Sequence, residues 1–360
     1  MVVTPATGVT GINVTGNIYV SNAVTTTNVF ATGTVSSGTG LMYRNRIING
    51  NFDVWQRGTS FTNPAAGSYT TDRFYVNYDG TGATRTISRQ SFTLGQVEVP
   101  NNPTYYYRFA QTVAGSAGTF NTIFRHPIES VTTLSGQSVS VSFWARVAAS
   151  TQTITASLRQ YFGTGGSPST SVDTSVSAGT TLTTTFQKFT FTVSLPSVSG
   201  KTLGTDNNDS LILLILGPVN ATFTMDFSQV QVELGTVATP FEYRPYTVEL
   251  QLCQRYYFVS SIGSPTGGLI GNIDAIAYAT SGICNNTRFP VVMRIDPTSI
   301  SIYNNGTANQ VRTTITGGVV AVTIAGGRYT SGGIGYVAFT GTPLAAGAGY
   351  DFDLVVSCEL

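Results

Sequence analysis

The sequence predicts an all-β protein. A jelly-roll sandwich is expected over residues 43–246, a smaller C-terminal β-sandwich domain over 247–360, and an extended N-terminal attachment segment over 1–42. Three observations point there. Only 10% of the residues are charged and 41% are hydrophobic, against about 25% charged in an average soluble domain. Val, Thr, Tyr and Phe stand where helical proteins carry Lys, Glu and Ala, and these residues suit pleated, half-buried surfaces. Apolar and polar residues also alternate over short runs bounded by Gly, Pro, Asn and Ser, the pattern of strands and turns.

The first segment carries no charged residue before Arg44. Its apolar positions come in alternating pairs, Ile12/Val14 and Ile18/Val20, followed by Val29 and Val35. Some forty such residues cannot close a core alone. They are either a flexible leader or a shaft that orders against copies of itself or a larger particle, and the second reading is preferred.

Eight strand-like runs follow at sandwich spacing: Arg73–Tyr78, Thr84–Ser88, Tyr105–Gln111, Ser138–Arg146, Thr153–Gln160, Gln187–Leu195, Ser210–Leu216 and Thr222–Leu234. Val139, Val141, Phe143, Ala145 and Val147 share one face of their run, with Ser140, Ser142, Trp144 and Arg146 on the other. The third segment opens with the one convincing helical pattern, Val248–Phe258, just after Pro245. Further runs follow at Ala275–Ala279, Pro290–Arg294, Ser299–Tyr303, Gln310–Ile315, Val319–Ile324, Ile334–Thr340 and Tyr350–Ser357.

Several function classes are disfavoured. A net charge of +1 lacks the basic footprint of nucleic-acid binding. No basic stretch precedes an apolar one at the N-terminus, so no signal peptide is expected. The longest apolar run, Leu211–Leu216, is far short of the ~20 residues of a membrane helix. Cys253, Cys284 and Cys358 are widely spaced and read as free, buried thiols. Sequons at Asn13, Asn208, Asn220, Asn285 and Asn305 are about as many as a Ser/Thr-rich chain yields by chance. With His126 the lone histidine and no nucleophile, phosphate-loop or dinucleotide motif, no catalytic site is expected. Two carboxylates suffice for a glycosidase, but no clustered pair is evident.

Four aromatic residues are candidates for stacking on sugar rings: Trp55, Tyr106, Trp144 and Tyr161. Each has an alternative as a core residue. Among the scarce charges, Asp53, Arg57, Asp72 and Arg73 are expected to form a structural clamp, with Asp53 or Asp72 paired to Arg57 or Arg73. Glu233, Glu242, Arg244, Glu249 and Arg255 form a second charged group at the domain junction, either salt links from strand to helix or a subunit interface. Asp206 and Asp209 bracket an oxygen-rich loop, either a solvated turn or a calcium site; no other cofactor is expected. Asp351 and Asp353 read as a charged strand edge.

Several segments together resemble a family of viral fibre proteins. They are Asn49–Gly58 (NFDVWQRG from Asn51), Thr71–Phe74, Gln231–Gly235, Ala238–Pro245 (ATPFEYRP), Glu249–Tyr257 and Phe289–Arg294. Their order and spacing are similar to those of bacteriophage tail-fibre and virion proteins built on a carbohydrate-binding-module-like jelly roll. The match covers roughly residues 43–300. The N-terminal stretch is similar to leaders on fibre-like proteins of large algal DNA viruses. The resemblance implies a structural protein of the virion surface, a homotrimeric fibre or spike subunit for host attachment. Residues 1–42 would contact other virion proteins, and host-surface glycans would be the ligand, with neither nucleic acid nor membrane insertion. A stand-alone carbohydrate-binding module is the alternative, and a glycan-processing enzyme a distant third. The shared motifs look architectural and carry over no catalytic residue.

Overall fold

The computed structural model describes residues 43–260, 273–304, 307–314, 316–341 and 343–360. The expected attachment segment, 1–42, lies outside them, as do Asn13, Asn305 and the side chains of Cys284 and Asn285.

Residues 60–234 form an antiparallel jelly-roll sandwich. One sheet has six strands: β1 (Ser60–Thr62), β2 (Thr84–Ser91), β3 (Tyr105–Val113), β5 (Ser138–Val147), β8 (Gln187–Ser194) and β10 (Phe223–Leu234), ordered β1-β2-β3-β10-β5-β8. The other has four: β4 (Thr122–Glu129), β6 (Gln152–Tyr161), β7 (Val172–Leu182) and β9 (Ser210–Leu216), ordered β4-β9-β6-β7. The alternation in β5 is realised, with Val139, Val141, Phe143, Ala145 and Val147 all buried. They meet Leu211, Leu213 and Ile215 of β9 in one core that also takes in Phe52, Phe74, Tyr107, Phe124 and Phe227. Leu211–Ile215 are buried on both faces, which explains why β9 reads as a continuous apolar run.

Three strands of the sandwich escape the periodicity reading, and all are edges: the three-residue β1 of the six-stranded sheet, and β4 and β7 of the four-stranded one. β4 contains Pro127, which an edge strand tolerates. β7 carries Ser, Thr, Ala or Gly at seven of its eleven positions, because an exposed edge buries little. Conversely, the run expected at Arg73–Tyr78 is no regular strand. It touches β4 and its flank through isolated bridges, Tyr75 to Arg125 and Tyr78 to Asn121.

The helix α1 spans Tyr246–Gln254 and buries Glu249, Cys253 and Gln254. It ends before the expected Phe258, because β11 (Tyr257–Val259) pairs instead with β19 (Gly349–Ser357). The remaining strands are β12 (Ile273–Ala279), β13 (Gly282–Arg288), β14 (Ser299–Asn304), β15 (Thr307–Ala308), β16 (Gln310–Thr313), β17 (Val319–Thr330) and β18 (Gly333–Gly341). Where a second sandwich is expected, they form one sheet. The order β12-β13-β18-β17-β16-β19 returns to β12 through a β12–β19 pairing, so the sheet closes on itself around Ile283, Val311, Val337, Phe352 and Leu354. Closure leaves fewer free edges.

Strand β19 is central to that ring, which corrects the charged-edge reading of Asp351 and Asp353. Both are buried, and Arg312 grips Asp351 through two hydrogen bonds of 3.0 and 2.6 Å. No strand forms at Pro290–Arg294; Met293 and Arg294 donate singly to Ser331 and Arg255 carbonyls. Cys253 and Cys358 are free and buried. No helix among the described residues is long and apolar enough to cross a membrane.

Candidate functional site

Three of the motif segments, Asn49–Gly58, Thr71–Phe74 and Glu249–Tyr257, converge on a buried charge cluster where the sandwich meets the C-terminal strands. A tight turn closed by Thr70–Phe74 hydrogen bonds aims Asp72 and Arg73 inward, with Arg73 in the left-handed region at φ 69°. Asp72 accepts from the Gln56 backbone and side-chain nitrogens, both at 2.7 Å, and lies 3.6 Å from Arg57. Glu359 then bridges the arginines. It meets Arg57 at 2.8 Å and also accepts from Arg73, which is fully buried. Tyr256 lies 3.5 Å under the Arg73 guanidinium and Tyr257 3.5 Å under Arg57. Burial pushes the Asp72 carboxyl up to about 6, against the pull of Arg57 and the Gln56 donors. For Arg73, burial works against the charge, but Glu359 and the tyrosines outweigh it and hold the guanidinium above its usual range. Asp53 stands apart: it accepts from Asn51 at 2.9 Å, and burial raises it. Glu359 is a single acid far from every motif, and no pattern in the chain singles it out.

The second charged group is a set of strand-to-helix links. Arg244 lies 3.4 Å from Glu249 and 3.5 Å from Glu242, and also donates to the Asn45 and Ile47 carbonyls. Glu249 accepts from the Asn49 backbone. Arg255 forks onto Glu129 at 2.9 and 3.2 Å, and Arg44 lies 3.6 Å from Glu233.

The four aromatic candidates occupy three environments. Trp55 is 6% exposed; its Nε1 donates to the Phe52 carbonyl and its ring stacks on Tyr107. It is a core residue, so the platform reading is corrected there. Tyr106 is 7% exposed and is corrected likewise. It sits on the outer face of the six-stranded sheet in a small cluster with Phe92, Val99, Phe186 and the half-buried Trp144. Arg146 covers Phe186 at 4.5 Å, and Arg108 and Arg146 share the buried Asp226 at 2.7 and 2.9 Å. This face is thus roofed by its own side chains.

Tyr161 alone opens into a cleft. The cavity, about 270 Å³, is lined by Gly67, Tyr69, Tyr75, Arg125, Arg159, Tyr161, Asn208, Ile212 and Leu360. Three structural facts assemble it. Arg159 and Tyr161 are two apart on β6 and therefore share its outer face. The turn around Asp72 sets Tyr69 opposite Tyr75, their rings 5.1 Å apart. Tyr75 pairs through its backbone with Arg125 of β4 at 2.7 and 3.0 Å. The Tyr69 hydroxyl is anchored on the Leu360 carbonyl at 2.9 Å. Burial raises the Tyr75 phenol, and the Arg125 and Arg159 charges oppose that rise. The pairing of Tyr69 with Tyr75 was legible in principle, since both flank one short turn; Arg125 and Arg159 carry no sequence signal.

At the cleft rim, Asn208 exchanges hydrogen bonds with Thr164 at 2.7 and 2.8 Å. The calcium candidates serve different partners. Asp206 accepts from Thr164 at 2.7 Å, and Asp209 from the Val131 nitrogen at 2.9 Å. No group of three or more His, Cys, Asp or Glu suited to a metal occurs among the described residues. His126 is fully buried beside the Ile48 backbone, and burial holds it well below its usual range.

No family model and no curated protein sequence matches this chain. Among solved structures, it is similar to the enzymatically active domain of bacteriophage CBA120 tailspike protein 4. That match has 13% identity and a TM-score of 0.33, and covers 54% of this chain but 22% of the tailspike domain. It is also similar to the CBM22-1 xylan-binding domain of Paenibacillus barcinonensis Xyn10C, at 12% identity and TM-score 0.31, over 51% of this chain and 99% of that one. A family 11 carbohydrate-binding module from Clostridium thermocellum, in complex with a mixed-linked tetrasaccharide, matches at 10% identity and TM-score 0.29, over 51% and 99%.

Proposed function

We propose that this chain is a non-catalytic structural subunit of a virion-surface fibre or spike, and that it attaches to host-surface glycans through the cleft beside Tyr161. The observation that carries the glycan reading is the convergence of Tyr69, Tyr75 and Tyr161 with Arg125, Arg159 and Asn208 around one opening. Ring faces attract the polarised C–H groups of a sugar, while guanidinium and amide groups supply fixed polar contacts for its hydroxyls. Its volume, about 270 Å³, lies just below the ~300–1,000 Å³ typical of small-molecule sites, which suits a short stretch of glycan. No lining side chain is a carboxylate, so the side chains are equipped to hold and orient a sugar. A two-carboxylate hydrolysis has no acid to use there.

The virion placement is supported by the motif spacing over residues 43–300 and by the uncharged, strand-like segment 1–42, which would contact other virion proteins. Assembly as a homotrimer would multiply weak single-site contacts through effective concentration. Two measurements test the reading. On a glycan array the full chain should retain at least one glycan class, and Tyr161→Ala should lose it while melting at the same temperature. Light scattering should give about three times the 38.1 kDa chain mass. A monomer that still binds glycan would point to a solitary binding module; retention of no glycan would sink the attachment reading.

A further inference from the structure

We infer that the cleft is built for a carboxylate-bearing saccharide, of the uronic or sialic type, with Arg125 as the group that receives the carboxylate. This rests on the glycan-binding reading of the same cleft.

Charge pairing around the cleft carries the inference. Most arginines of this sparsely charged chain have a carboxylate within 4 Å: Arg44, Arg57, Arg73, Arg108, Arg146, Arg159, Arg244, Arg255 and Arg312 all do. Arg125 lines the cavity and forms no such pair among the described residues. Its Nε is buried with no hydrogen-bond partner. The rings of Phe120 and Tyr75 lie 5.6 and 6.0 Å away and the Tyr75 phenol takes one hydrogen bond from the guanidinium, which eases the charge but leaves the Nε donor unanswered.

The acid nearest in role, Asp173, is already committed. Arg159 grips both its oxygens, at 2.6 and 2.7 Å. Among the side chains there, Arg159 is thus matched by Asp173, and Arg125 is the guanidinium with no side-chain carboxylate of its own. A guanidinium presents a planar fork that matches a carboxylate in two parallel hydrogen bonds. With Tyr75 beside it and Tyr161 on the same wall, a pyranose ring stacked on a tyrosine would place a ring carboxylate within the fork's reach. A neutral sugar would leave that fork answered by hydroxyls alone, a weaker contact than a charge-assisted pair.

The test uses the full chain on an array of matched glycans: neutral, uronate-bearing, sialate-bearing and sulfated. Galactotriose and tri-galacturonate, which differ at C6, are then titrated in solution. The expected result is retention of a carboxylate-bearing class with at least a tenfold preference over its neutral counterpart. That preference should shrink as salt rises and collapse in Arg125→Gln, with partial recovery in Arg125→Lys. Calorimetry of each variant checks that the fold persists, and Tyr161→Ala should weaken acidic and neutral ligands alike. Equal binding of neutral and acidic partners, or a preference that survives Arg125→Gln, overturns the carboxylate assignment and leaves glycan binding standing. Retention of sulfated glycans alone overturns it in favour of a sulfate ester. No retention of any class overturns both readings.

Discussion

Replacing Glu359 by Gln removes the one carboxylate that bridges Arg57 and Arg73. The two cations do not suffer equally. Arg57 keeps Asp72 at 3.6 Å and the Tyr257 face. Arg73, with a side chain 0% exposed, keeps only the Pro127 carbonyl at 2.7 Å and the Tyr256 ring. Removing one partner of a buried pair costs about 3–5 kcal/mol, because the other charge is left uncompensated. At about 2.1 cal/mol/K per residue, the unit spanning 42–360 has an unfolding entropy near 0.7 kcal/mol/K. A loss of about 4 kcal/mol then lowers Tm by roughly 6 °C in scanning calorimetry. Little solvent reaches the pair, so the loss should persist at 0.5 M salt, where exposed pairs are screened. The double variant Glu359→Gln with Arg73→Met should lose less than the sum of the singles, by about 1–3 kcal/mol, as groups in one network do. A Tm drop under about 1.5 °C, or simple additivity, would refute the claim that this cluster fastens the sandwich to the C-terminal strands.

Two further perturbations act through different physics. Asp72 titrates near about 6 when folded because it is buried, against ~3.9 in an unfolded chain. The native state therefore holds an extra proton between those values, and the stability from this carboxyl, about 3 kcal/mol, is full below ~4 and lost as pH rises through 6. Subtracting the pH–stability curve of Asp72→Asn from that of the wild type should expose this fall, and a difference that is flat from pH 4 to 7 would contradict it. At Gly50 an added Cβ would stand 2.2 Å from the Val230 carbonyl oxygen, so Gly50→Ala should cost about 1–3 kcal/mol by forcing the motif loop off β10. Denaturant unfolding reads this directly; an unchanged midpoint would mean that the loop is free to shift.

The sandwich was legible wherever burial on one face imposes a two-residue period, as in β5, or burial on both faces gives an unbroken apolar run, as in β9. It was illegible at β1, β4 and β7, edge strands that are short, bury too little to mark themselves or carry a proline. The barrel closure was hidden for another reason. It depends on β19 pairing with β12 at one end and β11 at the same edge further on, and such long-range pairing leaves no local trace. The Asp72–Arg57 proximity followed from the scarcity of charge, but the bridging acid came from the far end of the chain. Of the stacking candidates, Trp55 fell to the main core and Tyr106 to a small cluster on the outer sheet face, because large aromatic surfaces gain most from burial.

Clamp and cleft share a support, and that links stability to binding. Glu359 is held by Arg57 and Arg73, and the next residue, Leu360, lines the cleft and accepts the Tyr69 hydroxyl. Arg57 also lies 5.2 Å from the Tyr69 ring. Tyr69→Phe deletes only the anchoring hydroxyl. It should cost about 1 kcal/mol of stability, the usual net value of one hydrogen bond, yet loosen the ring that faces Tyr75. If the clamp positions the cleft, Tyr69→Phe and Glu359→Gln should both weaken glycan retention at temperatures well below their melting points, and Glu359→Gln the more, since it releases the whole 359–360 segment. If the clamp serves stability alone, Glu359→Gln will melt earlier while glycan retention at low temperature stays that of the wild type. Measuring both quantities on both variants therefore separates a fastening that merely holds the domains from one that also shapes the binding surface.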